Sequence, residues 1–239
     1  FAALMGEENT ALSLEDALLA LDKAAKNENI IGVYLEGGAM GANPGMAQEL
    51  RQALVEFKES GKWVVAYGDS YGKTAYYLSS VADSVLLNPE GNVDFGGMAS
   101  QIMFYKDVME KVGVKMQVFK VGTYKSAVEP FICTEMSPAN REQVTSYLFS
   151  IWTNMLKDVA ASRNMEVGKL NSLADSLTMI SEASVALNGG LVDKLCYMDE
   201  VKAILREKSG LEDEDDDLVF ASVADVAKSE TLDEKVDEQ

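Results

Sequence analysis

The chain has 239 residues, 47% of them hydrophobic and 25% charged, with a formal net charge of −18 and no histidine. That balance suits a globular protein with a sizeable core, and the charge disfavours a nucleic-acid backbone as partner. Without histidine there is no Ser-His-Asp triad and no histidine-ligated metal site. Acid–base work near neutral pH would fall to a carboxylate, cysteine, tyrosine or lysine.

The chain opens on Phe1 and shows neither a signal peptide nor an apolar run near the ~18 residues of a membrane span. We expect a piece of a longer protein, its targeting or anchor segment lying upstream. The first element is a helix opened by the capping box "SLED" at Ser13–Asp16 and running to about Asn27. "IIGVYL" (30–35) reads as a buried strand, followed by the loop "EGGAMGANPG" and a helix from Met46 to about Ser60. "KWVVAYG" (62–68) is a second strand, residues 75–82 a short helix, "SVLLN" (84–88) a third strand and "KMQVFKVG" (115–122) a fourth. Strands alternating with helices predict α/β layers around a largely buried sheet.

After Phe131 the pattern turns helical. Ser137 is placed as an N-cap with Pro138 at the first helical position. Val144, Leu148, Ile151, Met155 and Val159 then recur every three or four residues on one face of a long helix. Two shorter helices follow at 166–176 and 181–188, "NGG" (188–190) closes them, and Asp199 is expected to cap a last helix to Lys208. The twelve acidic and two basic residues of 212–239 contribute −10 of the −18. "EDEDDD" (212–217) is most simply a solvated linker, since it lacks the glycine and final glutamate of a calcium loop. The domain reading is therefore residues 1–210 as one α/β domain and 211–239 as acidic linker and C-terminal segment.

Cys133 and Cys196 stand far apart with no CxxC spacing, so neither pairing nor redox compartment follows from them. "GDSYGKT" (68–74) sits between a strand and a helix, as a phosphate-binding loop would. Only three residues separate Gly68 from Gly72, however, where that loop needs four, so the nest of amides is too short. No cofactor and no metal is expected.

"VGTYKSAVEPF" (121–131) holds a single lysine, Lys125, among apolar and small residues. This stretch resembles the lysine-bearing segment of the signal peptide peptidase A (protease IV) family of membrane-associated bacterial serine proteases. The resemblance is carried by 30–131 and extends more weakly over 14–220. It implies a Clp protease/crotonase-like fold of ββα repeats with a helical C-terminal part, which agrees with the α/β reading of the residues. It also implies that Lys125 is the general base of a Ser/Lys dyad. In short family members the serine lies in a "GD…SG.YY" stretch. Here "YGDSYGKTAYYLSS" puts Lys73 at that place, and Ser70 lies three residues early, on a different backbone path. Long members split the dyad between two halves, the first giving the lysine and the second the serine, and this chain resembles the first. By the same resemblance Gly96 and Gly97, in "NPEGNVDFGGMA", help shape a peptide groove. A tight turn before the next strand explains those glycines equally well.

A lysine base must lose its proton, yet a free lysine has a pKa of ~10.4. Burial lowers it by up to ~3–5 units, or ~4–7 kcal/mol. Tyr124, Ala127, Val128 and Phe131 are suitable wall material. Glu129 would oppose the role on a helix with Lys125, but Pro130 disfavours that helix, so the segment is expected to be irregular, with Glu129 directed elsewhere.

The resemblance thus implies half of a serine endopeptidase acting on peptides such as signal peptides, inactive alone and completed by a second half. It further implies self-assembly into rings and a place on the extracytoplasmic side of a bacterial inner membrane. The alternatives are a non-catalytic scaffold or substrate-binding half, and a crotonase-like acyl-CoA enzyme. Nothing in the residues singles out a CoA site.

Overall fold

The structure, a computed structural model, describes residues 12–38, 40–176, 178–211 and 217–229. The acidic run lies outside these but for Asp217. The chain divides into two compact units, Phe1–Gly96 with Val159–Gln239, and Gly97–Asp158.

In the first unit a four-stranded parallel sheet runs in the order β1-β2-β3-β4, formed by β1 (Gly32–Glu36), β2 (Trp63–Gly68), β3 (Ser84–Leu87) and β4 (Lys194–Leu195). Parallel neighbours need crossovers. Helix α2 (Pro44–Glu59) carries β1 to β2 and α3 (Lys73–Ser79) carries β2 to β3. Strand β2 holds Val64 to Gly68 buried, which is why its sequence is a continuous apolar run rather than an alternation. Below it Val65, Tyr67, Leu86, Cys196, Val201 and Leu205 form one core cluster.

Local chemistry sets the helix ends. Ser13 Oγ accepts the Asp16 amide at the start of α1 (Leu14–Lys26), and Asn43 Oδ1 accepts the Met46 amide before Pro44 opens α2. Buried Ala17, Ala20 and Ala24 line the inner face of α1. Lys62 Nζ donates to the Ala24 and Asn27 carbonyls, closing the C-terminal end of α1.

Two aspartates recur in equivalent places. Asp83, just before β3, donates its backbone amide to the Val64 carbonyl and accepts the Val64 amide on its carboxylate, both at 2.8 Å. Asp193, just before β4, does the same with Val85, at 2.7 Å. Each is held by a cation from a helix. Lys58 Nζ lies 2.8 Å from Asp83, and Arg163 binds Asp193 with both guanidinium nitrogens, at 2.6 and 2.9 Å. The segments "VADS" and "LVDK" thus join successive strands by one device.

The second unit contains α4 (Lys106–Lys111), α5 (Glu129–Ile132) and most of α6 (Pro138–Arg163). The fourth strand expected at 115–122 is not formed: these residues are irregular, with Phe119 90% and Val121 88% exposed. Their alternation is strand-like, but no described residue of Gly97–Asp158 belongs to a strand that could pair with them. The edge beside β3 is taken by β4.

Returning to the first unit, α7 (Val167–Asp175) and α8 (Ala183–Gly189) follow, and Gly190 closes α8 in the left-handed conformation at φ 85°. Helix α9 (Met198–Lys208) begins two residues earlier than expected. Tyr197, not Asp199, occupies the N-cap, and its amide donates to Glu200, while Asp199 lies in the first turn. Beyond the acidic run, α10 (Val223–Lys228) packs on α1, and Lys23 Nζ binds the carbonyls of Ala227 and Ser229. No helix among the described residues is long and apolar enough to cross a membrane.

Candidate active site

In open parallel sheets ligands bind beyond the carboxyl ends of the strands. In the first unit those ends bring together Gly37 and Gly38 after β1, Asp69 and Ser70 after β2 and Asn88 after β3. The Gly37 amide donates to the Tyr67 carbonyl at 2.6 Å, and the Gly72 amide to the Gly38 carbonyl at 3.0 Å. A Cβ on Gly37 would lie 2.7 Å from Gly68 Cα, so this approach of two backbones requires glycine. Asp69 Oδ1 accepts from Tyr67 Oη and Asn88 Nδ2, both at 2.9 Å. Burial, first, and the Asp69 hydrogen bond raise the Tyr67 phenol above its usual range.

Lys73 is the first residue of α3 and Gly72 its N-cap, the strand-to-helix position where alignment had placed it. Ser70 is exposed on the preceding turn. Behind them Tyr71 and Tyr76 are core residues, their hydroxyls donating to the Leu86 and Leu191 carbonyls. Tyr76 stacks edge-on against Phe95. Gly96 is half-buried and Gly97 exposed. A Cβ at Gly97 would meet nothing within 4 Å, and one at Gly96 only Asp94, at 3.7 Å, so within this chain no group closely approaches either glycine.

In the second unit Lys125 stands in an irregular turn, as expected, but Glu129 does not avoid the helical region before Pro130: it opens α5, with Pro130 in the first turn, where a missing amide costs nothing. Gly122 has φ 98°, the Lys125 amide donates to the Gly122 carbonyl at 3.4 Å, and the Ser126 amide to the Tyr124 carbonyl at 3.1 Å. Lys125 is exposed. Of the expected wall, Tyr124 is 53% and Phe131 38% exposed, Ala127 is exposed and Val128 half-buried. Within this chain they do not enclose the amine.

Glu129 is the buried charge of this unit, 1% exposed. It opens α5, and its carboxylate faces the start of α6. Ser137 Oγ donates at 2.6 Å, the Ser137 amide at 3.2 Å and Asn140 Nδ2 at 2.9 Å, while Lys120 Nζ lies 3.7 Å away. The Ser137 hydroxyl holds the carboxyl below its usual range against the opposing push of burial, with Asn140, the Ser137 amide and Lys120 adding to it. The sequence reading directed Glu129 away from Lys125 but missed these partners. The clue was the N-cap signature of Ser137, which marks a helix start in need of acceptors. The Asp69–Tyr67–Asn88 cluster was also missed. Among the described residues no group of three or more Cys, Asp or Glu is placed to hold a metal ion.

Comparison with known proteins shows the family to which the chain belongs. The model of peptidase family S49 matches residues 56–212. Protease 4 of Salmonella typhi is 38% identical over 205 residues, covering 83% of this chain and 33% of that protein. Protease 4 of Haemophilus influenzae is 34% identical over 160 residues, 66% of this chain and 26% of that protein. The chloroplastic serine protease SPPA of Arabidopsis thaliana is 30% identical over 204 residues, 85% of this chain and 30% of that protein. The chain therefore spans a third or less of the length of these relatives.

Proposed function

The chain belongs to peptidase family S49, the signal peptide peptidase A family with its Clp protease-like α/β fold, and on that premise we propose that it is the lysine-bearing half of a serine endopeptidase. In this reading Lys125 is the general base, and the serine comes from a second half outside the chain. The observation that carries the reading is Lys73 at the head of α3, the place where the family's serine is expected. That helix start favours a group of negative character. A lysine there has no acyl-transfer chemistry to offer, which supports a nucleophile supplied from elsewhere.

The wall around Lys125 must then come from the second half or a neighbouring copy. The second unit exposes Met103, Val108, Val112, Phe119, Val121 and Phe149, apolar side chains that a partner surface could cover. Covering them is the work of assembly. The substrate would be a peptide such as a signal peptide, held extended in a groove that Gly96 and Gly97 help to shape.

The exposure of Lys125 favours a second reading, a non-catalytic half that scaffolds the enzyme or binds substrate. Kinetics on the full-length protein separates the two. Lys125→Ala is expected to abolish peptide cleavage with the fold retained, and Lys73→Ala to keep most of it. Full activity in Lys125→Ala would leave only the scaffold reading. An essential Lys73 with a dispensable Lys125 would reverse the assignment of the base. The purified fragment is expected to cleave nothing, and cleavage by it that Ser70→Ala abolishes would place the nucleophile in this half.

A further inference from the structure

Lys125 lies on a loop whose two ends meet at one carboxylate. Lys120 precedes the loop and Glu129 ends it, and their side chains pair at 3.7 Å. The same carboxylate takes three hydrogen bonds from Ser137 and Asn140, at the first turn of a 26-residue helix. On the far side, the Tyr105 amide donates to the Pro130 carbonyl at 2.6 Å and the Tyr105 ring stacks on Phe131, 6.0 Å between centroids. The exposed turn at 121–127 is therefore closed at its base by buried, charge-assisted contacts.

Burying a carboxylate is costly unless it is fully paired. Here three donors and a cation converge on two oxygens, which an ionised carboxylate accepts and an amide cannot, because an amide would turn N–H groups toward other donors. An apolar residue would satisfy none of them. The arrangement defines one conformation of the loop and holds it to the helix.

We propose that Glu129, with Lys120, is a positioning residue for Lys125: it clamps the 121–128 loop so that the amine is presented in one place. This rests on the reading of Lys125 as general base. Proton transfer in an acyl-transfer step demands hydrogen-bond reach between base and nucleophile, and a misplacement near 1 Å costs about 100-fold in rate.

The test uses the full-length protein, a fluorogenic peptide, and amide hydrogen exchange over 121–128. Lys120→Met is the main variant, because Lys120 is partly exposed and its loss leaves the core intact. It is expected to lower kcat about 10- to 100-fold with KM nearly constant, and to speed exchange in the loop. Lys120→Arg should restore both. Glu129→Gln should act like Lys120→Met or more strongly, and Ser137→Ala replaces it if it does not fold. Unchanged kcat in folded Lys120→Met and Ser137→Ala, with Lys125→Ala inactive, overturns the clamp while the general base stands. Full activity in Lys125→Ala overturns the general base and the clamp's catalytic purpose with it. A change in KM alone also overturns the clamp.

Discussion

A single carboxylate illustrates how much one residue can be asked to hold. Glu129 joins a loop, a short helix and the start of a long one, and it does so only while ionised. Its folded carboxyl is held below the ordinary range, so the stability it adds is present in full above the unfolded pKa of ~4.3 and disappears as pH falls through the lower folded value. Thermal unfolding of this chain followed from pH 7 to pH 3 should therefore show Glu129→Gln well below wild type at neutral pH, the gap closing below about pH 4. Parallel curves across that range would mean that the carboxylate is not a stabilising group. Asp193 belongs to the same class. Burial pushes it up, but Arg163 and the Val85 amide outweigh that and hold it low.

At the scale of elements the sheet is built by repetition. Strands β3 and β4 are each introduced by an aspartate that grips the amide of the strand before it, and a helix supplies the counter-charge. Asp193→Ala would leave the Val85 amide without its carboxylate and Arg163, whose side chain is 9% exposed, without its ion-pair partner. The expected loss is about 2–3 kcal/mol. Asp83→Ala, whose partner Lys58 is about a third exposed, should cost about 1 kcal/mol. Urea denaturation at pH 7 measures both, and a reversed order would refute the account. Those elements were legible in the sequence wherever a local rule decides them. The caps at Ser13 and Ser137, the apolar runs of β2 and β3 and the period of α6 each report their own structure, whereas β1, expected to be buried, is only half-buried at the edge of the sheet. The segment 115–122 alternates as a strand does, yet forms none, because a ladder needs a partner that no local pattern can announce. Strand β4 failed for the opposite reason: two residues carry no pattern, and pairing with β3 alone makes them a strand. Lys125 is singled out by resemblance alone, and its irregular backbone follows the expectation drawn from Pro130, although Pro130 itself lies in the first turn of α5. The partners of Glu129 were not legible, because they lie eight and eleven residues away and meet it only in the folded chain.

For the molecule as a whole, the two units are unequally built. The first contains nearly all the buried apolar side chains. In Gly97–Asp158 the buried hydrophobic residues among those described are Met155 and Leu156. Hydrogen exchange on this chain should show amides of α4 and α5 exchanging far faster than those of β2 and β3, since few buried contacts resist local opening. Addition of the second half should slow the former selectively. Equal protection of both units in the isolated chain would contradict the reading of the second as unfinished. The order of the chain through the sheet sets a further condition, one of timing. Strand β3 ends at Leu87 and its neighbour β4 begins at Lys194, so everything between must leave the ribosome before that edge is covered. At ~5–20 residues per second the wait is on the order of 5–20 s. During it the open side of Val85, Leu86 and Leu87 is a template for any other nascent strand. Chains truncated between 88 and 193 are therefore expected to aggregate more readily than the whole chain, which light scattering of matched solutions measures.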